Sequence, residues 1–494
     1  MSASALEVFG VTLSEERIAD LIQKSKQWAL LHGVAMRPQQ NSVSASCVEY
    51  APMTLFPSLI PVGVLAEAKA LQQHFNLLMH RVANDHVFLE QSLQNVIKVD
   101  SFMQRLWEIY TTVRQEGNPQ PASLTLIRND FMLDVKGSCC EIKGIPASVK
   151  LKQIEINTIS ASFAGLSTGM WNVHRYVMMQ AGKETHPTQI PENFPAQGLA
   201  AGLLKSWQHY NRESAIVLFV IQSNERNAVD QWWIEKELLN LNRDVKIKYA
   251  TFQNAHENCK LMDDRRLFLN DEEVAVIYYR DGYMPAHYPS EKEWNVRLMM
   301  ERSLAVKCPS VHMQLAGSKK IQQELARPGV VERFLRDPDI CRRIRDTFAG
   351  QYSLDLGSEG DKNVAMAIDD PKHFVLKPQR EGGGNNIYGE DIREFLSGIR
   401  LSEERNAYVL MERVFPWQQR NYLLKEGKPT NLRDVVSELG IYGVYLGCDK
   451  KVLMNEEVGH LLRTKSHDDN EGGIVAGFAT IDTPLLVQEP VKSQ

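Results

Sequence analysis

The segment Lys377-Pro378-Gln379-Arg380-Glu381-Gly382-Gly383-Gly384-Asn385-Asn386 carries the densest chemistry in the chain. Three consecutive glycines let a backbone approach a ligand closely and offer several N–H donors to phosphate oxygens. The lysine ahead of them supplies a cation for phosphate, and Glu381 supplies an oxygen ligand for a hard cation such as Mg²⁺. Glu155 and Asn157 stand two apart in an alternating run, so both oxygens face one side of a strand and suit the same kind of ion. The pair Lys319-Lys320 follows Gly317-Ser318, and Glu438 interrupts an apolar, β-branched run, where a carboxylate is either paired or binds something. Neither the Walker A spacing nor GxGxxG occurs, which disfavours those two nucleotide folds. A rival chemistry is Gly165-Leu166-Ser167-Thr168-Gly169, which matches the nucleophile elbow of serine hydrolases. Polar residues 157–162 stand where that elbow needs a strand running straight into it.

Elements of both periods must position these groups. Thr12 with Glu15 has capping-box spacing ahead of a helical stripe that ends at Gly33, and residues 64–115 are again helical in pattern. Residues 211–310 read as a compact α/β unit: strand Ala215–Ile221, helix 228–241, strand Val245–Ala250 and a third strand Val274–Tyr279. Phe374–Lys377, Tyr408–Glu412, Asn421–Leu424, Val435–Leu439 and Tyr442–Leu446 suggest a mostly antiparallel sheet. Five strands end in polar turns, at Arg128, Asn157, Gln222, Arg280 and Lys377, the places where α/β proteins present ligand groups. The fold class expected is α/β with α+β elements.

Composition narrows the function. The 494 residues are 43 % hydrophobic and 24 % charged, with a net charge of -5, which excludes wholesale disorder and argues against a nucleic-acid binder. The seven cysteines include the adjacent pair Cys139-Cys140, no CxxC occurs, and reduced thiols are expected. No run of about 18 apolar residues or secretory leader is visible, so the expectation is a cytoplasmic protein without a membrane partner.

TLFPSLIP (54–61), KQIEINTISASFAG (152–165), NERN with DQ (224–231), YYRDGYMP (278–285), QLAGSKKIQQEL (314–325), VLKPQREGGGNN (375–386), SELGIYGVY (437–445) and LLRTK with EGGIVAG (461–477) resemble, in order, the eukaryotic-type glutathione synthetases of the ATP-grasp superfamily. The resemblance implies an ATP-grasp fold divided as 1–210, an inserted substrate-binding unit 211–315, and 316–494 with lids at 377–390 and 466–477. It implies ligation of γ-glutamylcysteine to glycine through an acyl phosphate, with ATP as co-substrate, Mg²⁺ as cofactor and a homodimer as the assembly. Glu155, Asn157 and Glu381 carry over as metal ligands. Lys319, Lys377, Glu438, Lys465 and Glu471 carry over as nucleotide contacts, with Pro378, Gln379, Arg380, Gly382, Gly383, Gly384, Asn385, Asn386 and Tyr388 of the Gly-rich loop. Met411, Glu412, Arg413 and Val414 match the segment at the adenine edge. Arg128, Ile159, Ser160, Ala161, Ser162, Glu225, Arg226, Asn227, Gln231, Arg280, Asp281, Gly282, Tyr283 and Arg463 carry over as substrate contacts, Arg128, Arg463, Lys319 and Lys377 among them with catalytic roles. Ile474 and Val475 fall at the acceptor end, where valine replaces the usual alanine and is expected to favour glycine over β-alanine or serine. A homoglutathione synthetase, another carboxylate–amine ligase of the same fold, and a non-catalytic nucleotide-binding regulator are the alternatives.

Overall fold

The computed structural model describes residues 10–39, 47–136, 144–146, 148–183, 185–186, 188–381 and 384–488. Cys139-Cys140, Gly382 and Gly383 lie outside them.

Two long strands form the middle of a thirteen-stranded mixed sheet. The labelled strands in chain order are β1 (Ala122–Asp134), β2 (Lys150–Asn157), β3 (Ile216–Val220), β4 (Lys246–Ala250), β5 (Glu272–Tyr279), β6 (Val306–Cys308), β7 (Phe374–Pro378), β8 (Tyr408–Glu412), β9 (Leu432–Cys448), β10 (Lys451–Ser466) and β11 (Ala479–Asp482). β9 pairs antiparallel with β10 on one side and with β1 on the other, placing Tyr442 opposite Arg128 and Glu438 opposite Arg463. β1 also carries β2, with Arg128 opposite Asn157. The parallel strands β3, β4, β5 and β6 extend the same sheet, and β6 meets β1 at Ser123. β3 is buried at every position, as a parallel strand covered on both faces requires, which explains its unbroken apolar sequence.

Three expectations are corrected. Val435–Leu439 and Tyr442–Leu446 belong to one strand of 17 residues, because Gly440 continues the ladder rather than breaking it. β1 continues to Asp134, so Arg128 is a mid-strand residue rather than a strand end. The first helix, Glu15–Leu31, is capped by Ser14, whose hydroxyl accepts from the Arg17 N–H at 3.2 Å, not by Thr12. Strands of the 211–315 stretch join the main sheet and pack in the main hydrophobic core, and a second core lies inside 316–494, built from Leu354, Val364, Phe374, Leu376, Ile392, Leu396 and Leu410. This smaller core backs a four-stranded sheet that includes β7 and β8.

The fold buries neutral histidines. His174 and His460 are 0 % and 1 % exposed, His174 Nδ1 and both ring nitrogens of His460 lack a hydrogen-bond partner, and burial pushes both down to about 3. The unfolded chain binds their protons first, so stability must fall as pH drops below about 6.5, by about 2 kcal/mol per histidine at pH 5. Urea unfolding at pH 7 and pH 5 checks this, and His174→Gln is expected to reduce the pH slope; a slope unchanged in the variant would contradict the assignment.

Candidate active site

One carboxylate organises the cleft floor. Asp130 is 0 % exposed and lies two residues after Arg128, so both point to one face of β1. Its Oδ1 accepts from Arg128 Nε at 2.6 Å and its Oδ2 from Arg128 Nη2 at 2.7 Å, a bidentate pair. Oδ2 also accepts from Arg463 Nη2 at 2.9 Å and from Asn157 Nδ2 at 2.9 Å. Arg463 reaches Glu438 as well. Gly440 permits this crowding: a Cβ there would stand 2.7 Å from Asp130 Oδ1 and 2.9 Å from Arg128 Cδ.

The other end of the floor centres on Lys319, the first residue of a short helix capped by Ser318. Lys319 Nζ lies 2.8 Å from Glu381 Oε1 and 3.2 Å from Glu155 Oε2. Burial alone would raise the Glu155 carboxyl, but Lys319, Lys377, Arg463 and Arg128 outweigh it and hold Glu155 well below the usual carboxylate range. Burial raises the Glu381 carboxyl despite Lys319, with the Glu155 charge adding to the rise, since two carboxylates share one ammonium. Burial likewise pushes Glu438 up and Lys377 and Lys465 down. Lys377 Nζ donates to the Ile154 carbonyl at 2.9 Å, which joins β7 of the small core to β2 of the large one.

A third cluster faces them. Arg280 Nη2 donates to Ser162 Oγ at 3.0 Å and to Asp230 Oδ2 at 3.1 Å, while Arg128 Nη1 and the Tyr442 hydroxyl donate to the Ser162 carbonyl at 3.1 and 2.7 Å. Asp230 also accepts the Phe163 and Gly165 N–H groups, both at 2.8 Å. These bonds hold the loop before helix Ala164–Gln180 in a tight turn, with Ser160 at φ 57° and Phe163 at φ 75°. Glu225 accepts from the Asn227 N–H and Gln231 Nε2, and burial pushes its carboxyl up.

The three clusters enclose a cavity of about 580 Å³. Arg128, Glu155, Asn157, Ile159, Ser160, Ser162, Glu225, Arg226, Asn227, Arg280, Tyr283, Lys377, Glu381, Asn386, Tyr388, Met411 to Val414, Glu438, Arg463, Lys465, Glu471, Ile474 and Val475 all line it. The Gly-rich loop and its neighbour meet the 466–477 stretch: the Gly384 N–H donates to Glu471 Oε2 at 2.8 Å, and Tyr388 and Arg413 both donate to Asn470. Ile474 is buried, whereas the Val475 side chain is 40 % exposed.

Other sequence-derived candidates stand off the wall. Arg380 turns away to pair with Asp100, the cap of helix Ser101–Gln115. Asp281 pairs with His287 Nδ1 at 2.7 Å and accepts the Gly282 N–H, so both serve the turn itself. Gln231 supports Glu225 from behind, Gln379 Oε1 accepts the Lys320 N–H at 3.1 Å, and Ala161 is buried. Pro378, Gly384, Asn385 and Lys319 also lie outside the wall, Lys319 acting on it through Glu155 and Glu381. Ser167 is corrected: it is 3 % exposed inside a helix and its hydroxyl donates to the Phe163 carbonyl at 2.8 Å, so no nucleophile elbow exists there.

The residue pattern alone missed Asp130 and Asp230, which orient the arginines, and the wall residues Asn224, Phe163, Met284 and Met132. Asp130 had a signal, its period-two spacing from Arg128; Asp230 in the first turn of helix Ala228–Leu241 had none.

The model of the eukaryotic glutathione synthase ATP-binding domain matches residues 15–486. Bovine glutathione synthetase is 48 % identical over 474 residues, covering 96 % of this chain and 98 % of its own, and the human glutathione synthetase is 46 % identical with the same coverage. Among solved structures, a glutathione synthetase-like effector from Globodera pallida in its apo form superposes with a TM-score of 0.76 at 22 % identity, covering 99 % of this chain and all of that one.

Asp130→Asn tests the floor. It preserves shape but leaves two buried guanidinium groups short of a counter-charge, so stability is expected to drop by about 3–5 kcal/mol. Urea unfolding checks this; an unchanged midpoint would remove Asp130 from the centre of the site.

Proposed function

The chain belongs to the eukaryotic glutathione synthase family of ATP-dependent ligases, which make glutathione, and from that premise we propose how its cleft divides the work. Lys377 and Lys465 take the nucleotide phosphates and Lys319 adds its charge from behind Glu155 and Glu381, with the Gly384 to Tyr388 stretch above them and Met411 to Val414 at the base edge. Arg128, Arg463, Arg280 and the turn 159–162 hold γ-glutamylcysteine, with Glu225 and Asn227 at its far end. The observation that carries this division is the separation of charge along one floor: ammonium groups around Glu155 and Glu381 at one end, guanidinium groups around Asp130 at the other.

The chemistry follows from that order. A donor carboxylate oxygen bonds to the γ-phosphorus as the bridge to the β-phosphate breaks, releasing ADP and leaving an acyl phosphate. The glycine amine then forms the amide bond, phosphate leaves and the amine loses its proton. Charge accumulates on phosphoryl oxygens, where fixed cations help most.

Glu155, Asn157 and Glu381 suit Mg²⁺ by donor chemistry: two carboxylates and one amide oxygen, a set a magnesium ion completes with phosphate oxygens and water. Bound there, the ion would neutralise phosphate charge. Homodimeric assembly belongs to the same proposal and rests on the resemblance; the cytoplasmic setting rests on the sequence expectation above.

ADP release measured with γ-glutamylcysteine, with and without glycine, tests the reading. Turnover should need both, and the product ratio in a glycine and β-alanine mixture should favour glycine. Glu155→Gln and Glu381→Gln should each lower kcat by about 10²-fold or more, while Ser167→Ala should retain near-wild-type rate. Near-wild-type kcat in both glutamate variants would contradict the assignment of the metal ligands.

A further inference from the structure

Arg226 carries over from the resemblance as a substrate contact, yet its guanidinium is committed elsewhere. It sits in the turn before helix Ala228–Leu241. Nε donates to the Arg37 carbonyl at 3.2 Å, Nη2 lies 3.4 Å from Glu49 Oε1, and Nη1 donates to the Val475 carbonyl at 2.7 Å. The Arg37 N–H donates in return to the Arg226 carbonyl at 2.9 Å. Two arms of the fork are thus fixed by Arg37 and Glu49, and the third reaches the second lid.

Past the end of β10 that lid runs through residues 467–478 without helix or strand, so its carbonyls lack ladder donors. Cations supply several. Lys465 donates to the Asn470 carbonyl at 2.6 Å, and Lys425 donates to the Gly477 and Phe478 carbonyls at 2.9 and 2.6 Å. These two hold the lid near its ends. Arg226 holds its middle, just past Gly472-Gly473 and next to the buried Ile474.

We propose that Arg226 is a positioning residue that latches the second lid over the acceptor end of the cleft, rather than a contact to the donor dipeptide. This rests on the functional reading above. An acyl phosphate open to solvent is attacked by water at its carbonyl carbon; the bond to phosphate breaks, and carboxylate, inorganic phosphate and a proton result. ATP is then spent without an amide. A latched lid suppresses that loss and holds the amine in line.

The test compares the full-length wild type with Arg226→Met and Arg226→Lys. ADP and glutathione are measured in the same reactions, with KM for glycine and for γ-glutamylcysteine. Hydrogen exchange of amides 470–478 is followed in the free protein and with a non-hydrolysable ATP analogue plus γ-glutamylcysteine. In Arg226→Met the ADP formed per glutathione should rise above wild type, the glycine KM should rise about tenfold, the loss expected for one charge-assisted hydrogen bond, and lid exchange should accelerate. The donor KM should hold. Arg226→Lys should fall between, and it carries the same readouts if the methionine variant does not fold. A raised donor KM with one ADP per glutathione would make Arg226 a donor contact and overturn the latch, as would unchanged coupling and unchanged lid exchange. A wild type that releases no donor-dependent ADP would strike the functional reading instead, and lid exchange in the free protein would still decide the latch.

Discussion

Asp130 is the constraint on which the cleft depends. A fully buried carboxylate is expensive unless its charge is matched and its lone pairs are used. Here Arg128 grips it with two parallel hydrogen bonds, Arg463 and Asn157 add two more, and Arg463 then reaches Glu438. Those partners come from β1, β2, β9 and β10, so the register of four strands is tied to one carboxylate. The absence of a side chain at Gly440 is part of the same packing, since no other residue leaves room for the ion pair beneath β9.

The two hydrophobic cores meet at neighbouring lysines with opposite duties. Lys319 lies behind the cleft wall and draws Glu381 of the Gly-rich loop towards Glu155 of β2. Lys320 is buried and faces the small core, with Nζ 2.9 Å from Asp355 and 3.0 Å from Ser353 Oγ. One helical turn therefore fixes both the small unit and the charge that the nucleotide end requires. The Gly-rich loop and the 466–477 stretch complete the enclosure through Glu471 and Gly384.

Much of this was legible in the residues. The period-two spacing of Glu155 and Asn157, the glycine-flanked Glu381 and the buried-strand Glu438 each mark cleft positions that the structure brings together. The βαβ pattern after residue 211 appears as strands β3 and β4 with the helix between them. What escaped was long-range. No local pattern says that Asp230 will serve Arg280, 50 positions away, or that Arg380 will leave its loop to join Asp100. The unity of the main sheet escaped for the same reason, since the pairing of β6 with β1 joins segments far apart in the chain. The GxSxG pattern misled because a short motif says nothing of burial, and Ser167 is packed inside a helix.

The central claim is that this floor of opposed charges lets ATP phosphorylate the donor carboxylate before glycine acts. Positional isotope exchange in ATP labelled with ¹⁸O at the β–γ bridge tests it most directly. With γ-glutamylcysteine present and glycine absent, reversible transfer should scramble the label into the non-bridging β positions, and without the donor no scrambling should occur. Glutathione formation by an enzyme that never scrambles the label under those conditions, even with ADP retained in the closed cleft, would contradict the account.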